Sequence, residues 1–348
     1  MKATDEGRAM AKTILLTGGA GYIGSHTYVA LVAAGYDVVI LDNFSNARSD
    51  VPARLELITG APVRFYRCDL LDAAAVAKVF AAHSFDAVVH FAARKAVGES
   101  VRLPLDYIEA NCSGLIILLK AMQAAGVWRL VFSSSATVYA ETDRLPIAEG
   151  APLSYTSPYA YTKLMGEQIL TQVAASDPKW AFGTLRYFNP AGAHPTGLIG
   201  EDPRDIPNNL MPYIAKVAVG ELPRLTIHGD DYPTADGTGV RDYIHVEDLA
   251  LGHVLSLNEL LQTGKSHLVN LGTGKGYSVL DMLHSYSRAC GRDLPFSVGP
   301  RRAGDLAAYY GDPSLAEQVL GFRAERGLDE MCRSSWNWIS RRRNMADE

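Results

Sequence analysis

The sequence predicts an α/β protein built on a doubly wound parallel sheet, with a smaller C-terminal α/β lobe. Three observations point there. Short apolar, β-branched runs recur between longer helical patterns, and strands that alternate with helices form parallel sheets covered on both faces, because a parallel connection needs a dozen or more residues. The first run leads directly into a glycine-rich turn and then a helical stretch. After "YFNPAGAHP" the texture changes to Pro-, Gly- and Asn-rich segments, "GEDPRDIPNNLMPY" and "GDDYPTADGTGVRDY", which read as long functional loops around a few helices.

Taken in order, "KTILLTGG" is the first strand. In "TILLTGGAGYIGSHTYVALVAAG", Gly19, Gly21 and Gly24 match G-x-G-x-x-G, while Gly18, Gly21 and Gly24 form G-x-x-G-x-x-G. Without β-carbons these residues let the chain turn tightly and approach a pyrophosphate, with the helix N-terminus facing the anion. This order is Rossmann-type. "YDVVILDN" is the second strand and ends in Asp42, about 20 residues on, where a carboxylate accepts hydrogen bonds from adenosine ribose hydroxyls. An acid there repels a 2′-phosphate, which favours NAD over NADP, with Arg48 nearby as a counter-signal. A turn or cap role is the alternative for Asp42.

"VRFYRCDL" places Asp69 at the third strand's end, within reach of an adenine, and "FDAVVHFAA" places Phe91 and Ala92 beside the cofactor's phosphates or ribose, or simply in the core. "RLVFSSSA" is the fifth strand. Its small hydroxyl residues fall at the carboxyl edge of the sheet, where open α/β folds bind ligands. Ser135 is the candidate there, against plain turn chemistry as the alternative. "SPYAYTK" starts a helix with Tyr159 and Lys163 four positions apart. Such neighbours are common on any helix. Beside a dinucleotide, however, an ammonium and a positively charged nicotinamide would stabilise the Tyr159 phenolate. Opposite charge lowers a pKa by about 1–3 units, bringing a tyrosine down from about 10 toward operating pH. Lys163 would also hold a ribose. "FGTLRYFNP" and the later "HLVNLGTG" complete the strands, the last returning the chain to the first domain. The expected division is residues 12–188 plus about 243–275 for the dinucleotide-binding domain and about 189–242 plus 276–348 for the second, with residues 1–11 a disordered extension.

Composition narrows the function classes. The 348 residues, 48% apolar and 20% charged, are enough for one large or two fused domains. A net charge of −5 with no long like-charge run disfavours nucleic acid. Four cysteines without a C-x-x-C pair and nine histidines without H-E-x-x-H spacing predict reduced thiols and no structural metal. "MKATDEGRAMAK" carries no apolar stretch and no apolar run reaches membrane-spanning length, so the expectation is a cytoplasmic protein with no membrane association.

Several longer motifs carry a resemblance: "TGGAGYIG", "LDN", "HFAA", "FSSSATVY", "SPYAYTK", "LRYFNPAGAHP", "IPNNLMPY" and "GVRDYIHVEDLA". From about residue 12 to the C-terminus the chain resembles the extended short-chain dehydrogenase/reductases and, within them, the UDP-galactose 4-epimerases. It departs in Ala93-Arg94, where that family commonly has Gly-Leu, and in Ala140, where it usually has Gly. The resemblance implies NAD as cofactor, UDP-glucose and UDP-galactose as substrates, and a homodimer built from two helices of each subunit. It implies cofactor contacts also at Tyr22, Ile23, Asn43, Asn46, Leu70 and Tyr187, with Lys95 and Asn111 as lesser candidates for cofactor and structural contacts. Arg241 and Arg302 offer guanidinium forks suited to a diphosphate, although on the residues alone a surface ion pair is the commoner role for each. The resemblance places binding residues at both, puts Asn189, Asn209 and Leu210 near the diphosphate and uracil, and puts Asp305 near a ribose. Tyr309 coincides with a position that limits the sugar pocket, where a bulky ring should exclude a 2-acetamido group, against plain packing in the small lobe as the alternative. The chemistry so implied is transient oxidation at carbon 4 with Tyr159 as base, assisted by Ser135 and Lys163. A nucleotide-sugar dehydratase is the nearest alternative. It needs an added acid and base resembling a T-D-E triplet, where this chain has Ser134-Ser135-Ala136. A net dehydrogenase and a catalytically silent NAD sensor are more distant readings.

Overall fold

A computed structural model describes residues 11–202, 209–302 and 304–346. The expected N-terminal extension therefore lies, except for Ala11, outside the described residues, as do the first three residues of "IPNNLMPY".

The first half of the chain alternates strand and helix: β1 (Thr13–Thr17), α1 (Tyr22–Ala33), β2 (Asp37–Asp42), α2 (Val51–Thr59), β3 (Arg64–Arg67), α3 (Ala73–Ala82) and β4 (Ala87–His90). The crossover from β4 carries α4 (Val97–Arg102), α5 (Pro104–Ile108) and α6 (Gly114–Ala125) before β5 (Arg129–Ser133). Next come α7 (Pro158–Ser176) and β6 (Ala181–Tyr187). Beyond it lie β7 (Asn189–Ala191), α8 (Leu210–Ala218), β8 (Leu225–His228), β9 (Val240–Arg241), β10 (Tyr243–His245), α9 (Val246–Thr263) and β11 (His267–Leu271). The chain closes with β12 (Tyr277–Ser278), α10 (Val279–Cys290), β13 (Phe296–Gly299), β14 (Ala308–Tyr309), α11 (Ser314–Leu320) and α12 (Leu328–Ala346).

Seven strands, one from each apolar run read in the sequence, form a sheet in the order β11-β6-β5-β4-β1-β2-β3, with every pairing parallel. Alternate residues explain the two covers. Ile14, Leu16, Ile40 and Val131 face a cluster with Leu31 of α1 and Leu257 and Leu260 of α9. Leu15, Val39, Val88 and Leu130 face Val76, Leu118 and Met122 of α3 and α6. A separate cluster around Ile214, Ile227, Met282, Tyr286 and Met331 is the core of the smaller lobe. Chain order reverses between β1 and β4, so the carboxyl ends of these strands open a crevice at a topological switch point.

Candidate functional site

The glycine turn sits at the carboxyl end of β1. Gly18 has φ +71°, and a β-carbon there would lie 2.6 Å from the Ala92 amide nitrogen. One on Gly24 would lie 2.2 Å from the Gly18 carbonyl oxygen. These positions admit only glycine, because backbone meets backbone with no room to yield. Asp42 ends β2 and takes two roles at once. Its carboxylate accepts hydrogen bonds from the amides of Ala20 (3.0 Å) and Phe44 (2.8 Å), which joins the glycine turn to its own turn. It also lines the crevice. Burial pushes its pKa up, and the two amide bonds oppose that shift. Asn43 donates to Asp69 at 2.8 Å, fixing the ends of β2 and β3 together.

The crevice is a cavity of about 1190 Å³, beyond the roughly 300–1,000 Å³ of a single small-ligand pocket. It extends from Gly18, Gly21, Tyr22, Ile23, Gly24, Asp42, Asn43, Asn46, Asp69 and Leu70 past Phe91, Ala92 and Lys95 to Ser135, Tyr159, Lys163 and Tyr187. From there it reaches Asn189, Asn209, Arg241, Arg302, Asp305 and Tyr309 of the second lobe. Two residues named from the sequence do not line it. The Asn111 side chain is tied to both backbone atoms of Arg94 and to the Thr162 hydroxyl, so it braces the segment before α4 against α7. Leu210 packs against the smaller lobe's core instead.

The chemical centre depends on where α7 starts. Ser157 caps it by accepting from the Ala160 amide at 3.2 Å, and Pro158 occupies the first turn. Tyr159 and Lys163 therefore project from the first turns toward the end of β5. Three consecutive serines there do different things. The Ser133 carbonyl accepts from Lys163 Nζ at 2.6 Å, and its hydroxyl bonds the Tyr187 hydroxyl. Ser134 donates to Glu167, which also receives two bonds from buried Arg186. Ser135 accepts from Thr137 Oγ1 at 2.9 Å and faces the cavity.

Burial in the chain outweighs the hydrogen bond with Ser135 and pushes the Tyr159 pKa up to about 12, so the expected lowering falls to the charge of a bound nicotinamide. Lys163 does not offset this, since its ammonium is aimed at the Ser133 carbonyl and lies 5.9 Å from the Tyr159 ring centroid. Burial likewise lowers Lys163 to about 8, with Cys112 and Glu167 opposing. His90, beneath the site, is lowered to about 3 by burial and then by Lys163, so it stays neutral and adds no second cation.

On the far wall, β9 pairs with β14, setting Arg241 beside Tyr309. Arg241 Nη1 is anchored to the carbonyls of Val240 and Leu306, both at 2.8 Å, while Asp305 accepts from Arg302 Nε at 2.9 Å. The Tyr309 hydroxyl donates to the Ala136 carbonyl at 2.6 Å, which pins the ring one residue from Ser135. Sequence reasoning missed Thr137, Ser133, Glu201, Asp202 and Trp338 as cavity residues. Ser133 and Thr137 were findable two positions either side of Ser135; Glu201, Asp202 and Trp338 arrive by long-range packing without a local signal.

The NAD dependent epimerase/dehydratase family matches residues 14–272. The chain belongs to this family. A UDP-glucose 4-epimerase of Bacillus subtilis is 54% identical over 327 residues, covering 94% of this chain and 96% of that protein. The crystal structure of a UDP-glucose 4-epimerase from Stenotrophomonas maltophila, with bound NAD and formylated UDP-arabinopyranose, superposes with a TM-score of 0.94. It is 49% identical, over 96% of this chain and 99% of that one. The enzyme from Bifidobacterium longum, in complex with NAD and UDP, gives 0.91 at 50% identity over 96% and 99% of the two chains. The cavity of this epimerase/dehydratase fits NAD: a glycine turn whose β-carbons would strike backbone, next to an acid at the second strand's end. Among the described residues no group of three or more His, Cys, Asp or Glu side chains could hold a metal, and no helix is long and apolar enough to cross a membrane.

Proposed function

We propose that this chain interconverts UDP-galactose and UDP-glucose, oxidising the sugar transiently at carbon 4, turning the 4-keto sugar in the pocket and reducing it on the opposite face. The observation that carries the reading is one continuous cavity joining the glycine turn, Ser135 with Tyr159 and Lys163, and the Arg241–Arg302 wall. Relatives at about half identity over nearly the whole chain are UDP-glucose 4-epimerases.

The hydrogen on carbon 4 is not acidic, so inversion by direct proton removal is excluded. When bound, NAD supplies the hydride acceptor and a positive charge beside Tyr159. Tyr159 Oη takes the 4-hydroxyl proton and later returns it, with Ser135 hydrogen-bonded to the reacting oxygen. Because the same proton goes back, the base needs no route to water. Lys163 holds the end of β5 in place through Ser133 and keeps a positive charge near the phenolate. A free-turning ketone requires that the nucleotide be held harder than the sugar. Arg241 and Arg302 take the diphosphate, Asn189 and Asn209 assist, and Asp305 holds a ribose. Leu210 and Asn111 act only as support. The dehydratase reading is disfavoured because Glu167, the carboxylate bonded to Ser134, is neutralised by Arg186.

The reading includes a dinucleotide-binding domain of 12–188 plus about 243–275, supported by β11 completing the main sheet. It includes a cytoplasmic location and a homodimer, the latter supported by exposed Val97, Val101, Leu103 and Leu105 on and between α4 and α5. The mechanism is tested with UDP-galactose deuterated at carbon 4. Label kept at carbon 4 of the UDP-glucose formed supports it, and washout to solvent sinks it.

A further inference from the structure

Residues 193–202 leave the end of β7 and cross the cavity wall on the side of Asp42, Asn46 and Arg48, with Leu198 to Asp202 lining it. The segment closes on itself through an antiparallel bridge between Ala193 and Gly200. It is held from both ends of the chain. Asp202 accepts from Arg48 Nε at 3.2 Å, in the loop after β2, and pairs with Arg342 Nη1 at 2.6 Å, on α12. Trp338 of α12 donates to the Glu201 carbonyl at 3.3 Å and lines the cavity. Arg54 lies 5.3 Å over the Trp338 ring and donates to the Leu198 carbonyl at 3.1 Å. Gly200 lets the segment lie against Trp338, since a β-carbon there would be 2.5 Å from the indole.

We propose that residues 193–202 are a strap over the adenosine side of the cavity, latched by Asp202 between Arg48 and Arg342, and that this latch sets how slowly bound NAD leaves. The inference rests on the epimerase reading, in which the cofactor is regenerated in each cycle and has no reason to dissociate. Only 14% of the Asp202 side chain is exposed, so the latch is screened less than a surface pair. Removing its charge also leaves two guanidinium groups facing each other, which drives the strap open. Asp202 is a positioning residue here, acting on the cofactor through the strap.

The test follows NAD content, not turnover. Holoenzyme is ultrafiltered repeatedly into NAD-free buffer, and protein-bound NAD is measured in denatured aliquots. Asp202→Asn should lose NAD at least about tenfold faster than wild type, the scale of one lost charge-assisted hydrogen bond. Arg342→Gln should fall between, and Asp202→Glu should return toward the wild-type rate. Wild-type loss rates in folded Asp202→Asn and Arg342→Gln overturn the latch. If Asp202→Asn does not fold, Arg48→Gln and Arg342→Gln decide it by the same criterion. A wild-type protein that keeps NAD but cannot convert UDP-galactose would sink the functional reading alone and leave the latch result standing.

Discussion

Lys163 Nζ donates a 2.6 Å hydrogen bond to the Ser133 carbonyl oxygen, and that bond ties the helix carrying Tyr159 to the strand end leading to Ser135. The ammonium thereby acts on geometry first and on the Tyr159 phenolate only from a distance. Tyr159, desolvated and raised to about 12, is a weak base until a further positive charge sits next to it. The chain's base is thus held neutral until the cofactor site is filled.

Tyr159→Phe should keep its bound NAD and lose about 10²–10⁴-fold in kcat, the range for removing a general acid–base. Steady-state turnover of UDP-galactose, with NAD content measured alongside, checks both halves. Near-normal kcat would mean another group takes the proton.

The pH dependence has a definite sign. Lys163 is lowered by burial from 10.5 to about 8 in the folded chain. The penalty on its ammonium is in full force below pH 8 and is relieved as pH rises between about 8 and 10.5, where the unfolded chain binds more protons than the folded one. Activity moves the opposite way, since the ammonium that holds Ser133 is lost through the same region. The pH–rate profile should fall on a basic limb near 8, and Lys163→Met should abolish that limb along with most activity.

Glu167 and Arg186 form a buried pair, with side-chain exposures of 8% and 3%. Glu167→Ala leaves a buried guanidinium unpaired and should destabilise the fold by about 3–5 kcal/mol. Glu167→Ala combined with Arg186→Met should recover much of that in chemical denaturation. Additive losses would show that the pair does not act as a unit.

Tyr309 is pinned by its bond to the Ala136 carbonyl and packs against Phe188 with ring centroids 5.8 Å apart. Its ring should exclude a 2-acetamido substituent, so Tyr309→Ala should gain turnover of UDP-N-acetylglucosamine while losing some on UDP-galactose. Robust turnover of the acetylated sugar by the wild type would contradict the gate.

The parts legible in the sequence were those governed by local chemistry. Apolar β-branched runs became sheet strands because all but the edge strand β3 are buried between two helical layers, and the glycine spacing survived because backbone packs on backbone at Gly18 and Gly24. Asp42 was legible as a strand-end acid, although its two amide bonds were not. What could not be read depends on separation along the chain. Asp202 meets Arg48 across 154 positions, and Trp338 meets Glu201 across 137, with no periodicity to announce either. Lys163 has a related limit: spacing places it on the same face as Tyr159, but burial and the competing Ser133 carbonyl decide its effect.

The most direct test of the account is to incubate purified protein with UDP-galactose and no added NAD, then assay UDP-glucose. The account predicts conversion toward equilibrium on cofactor already bound, with no reduced cofactor accumulating in the filtrate. Absence of conversion by protein demonstrably carrying NAD would contradict it.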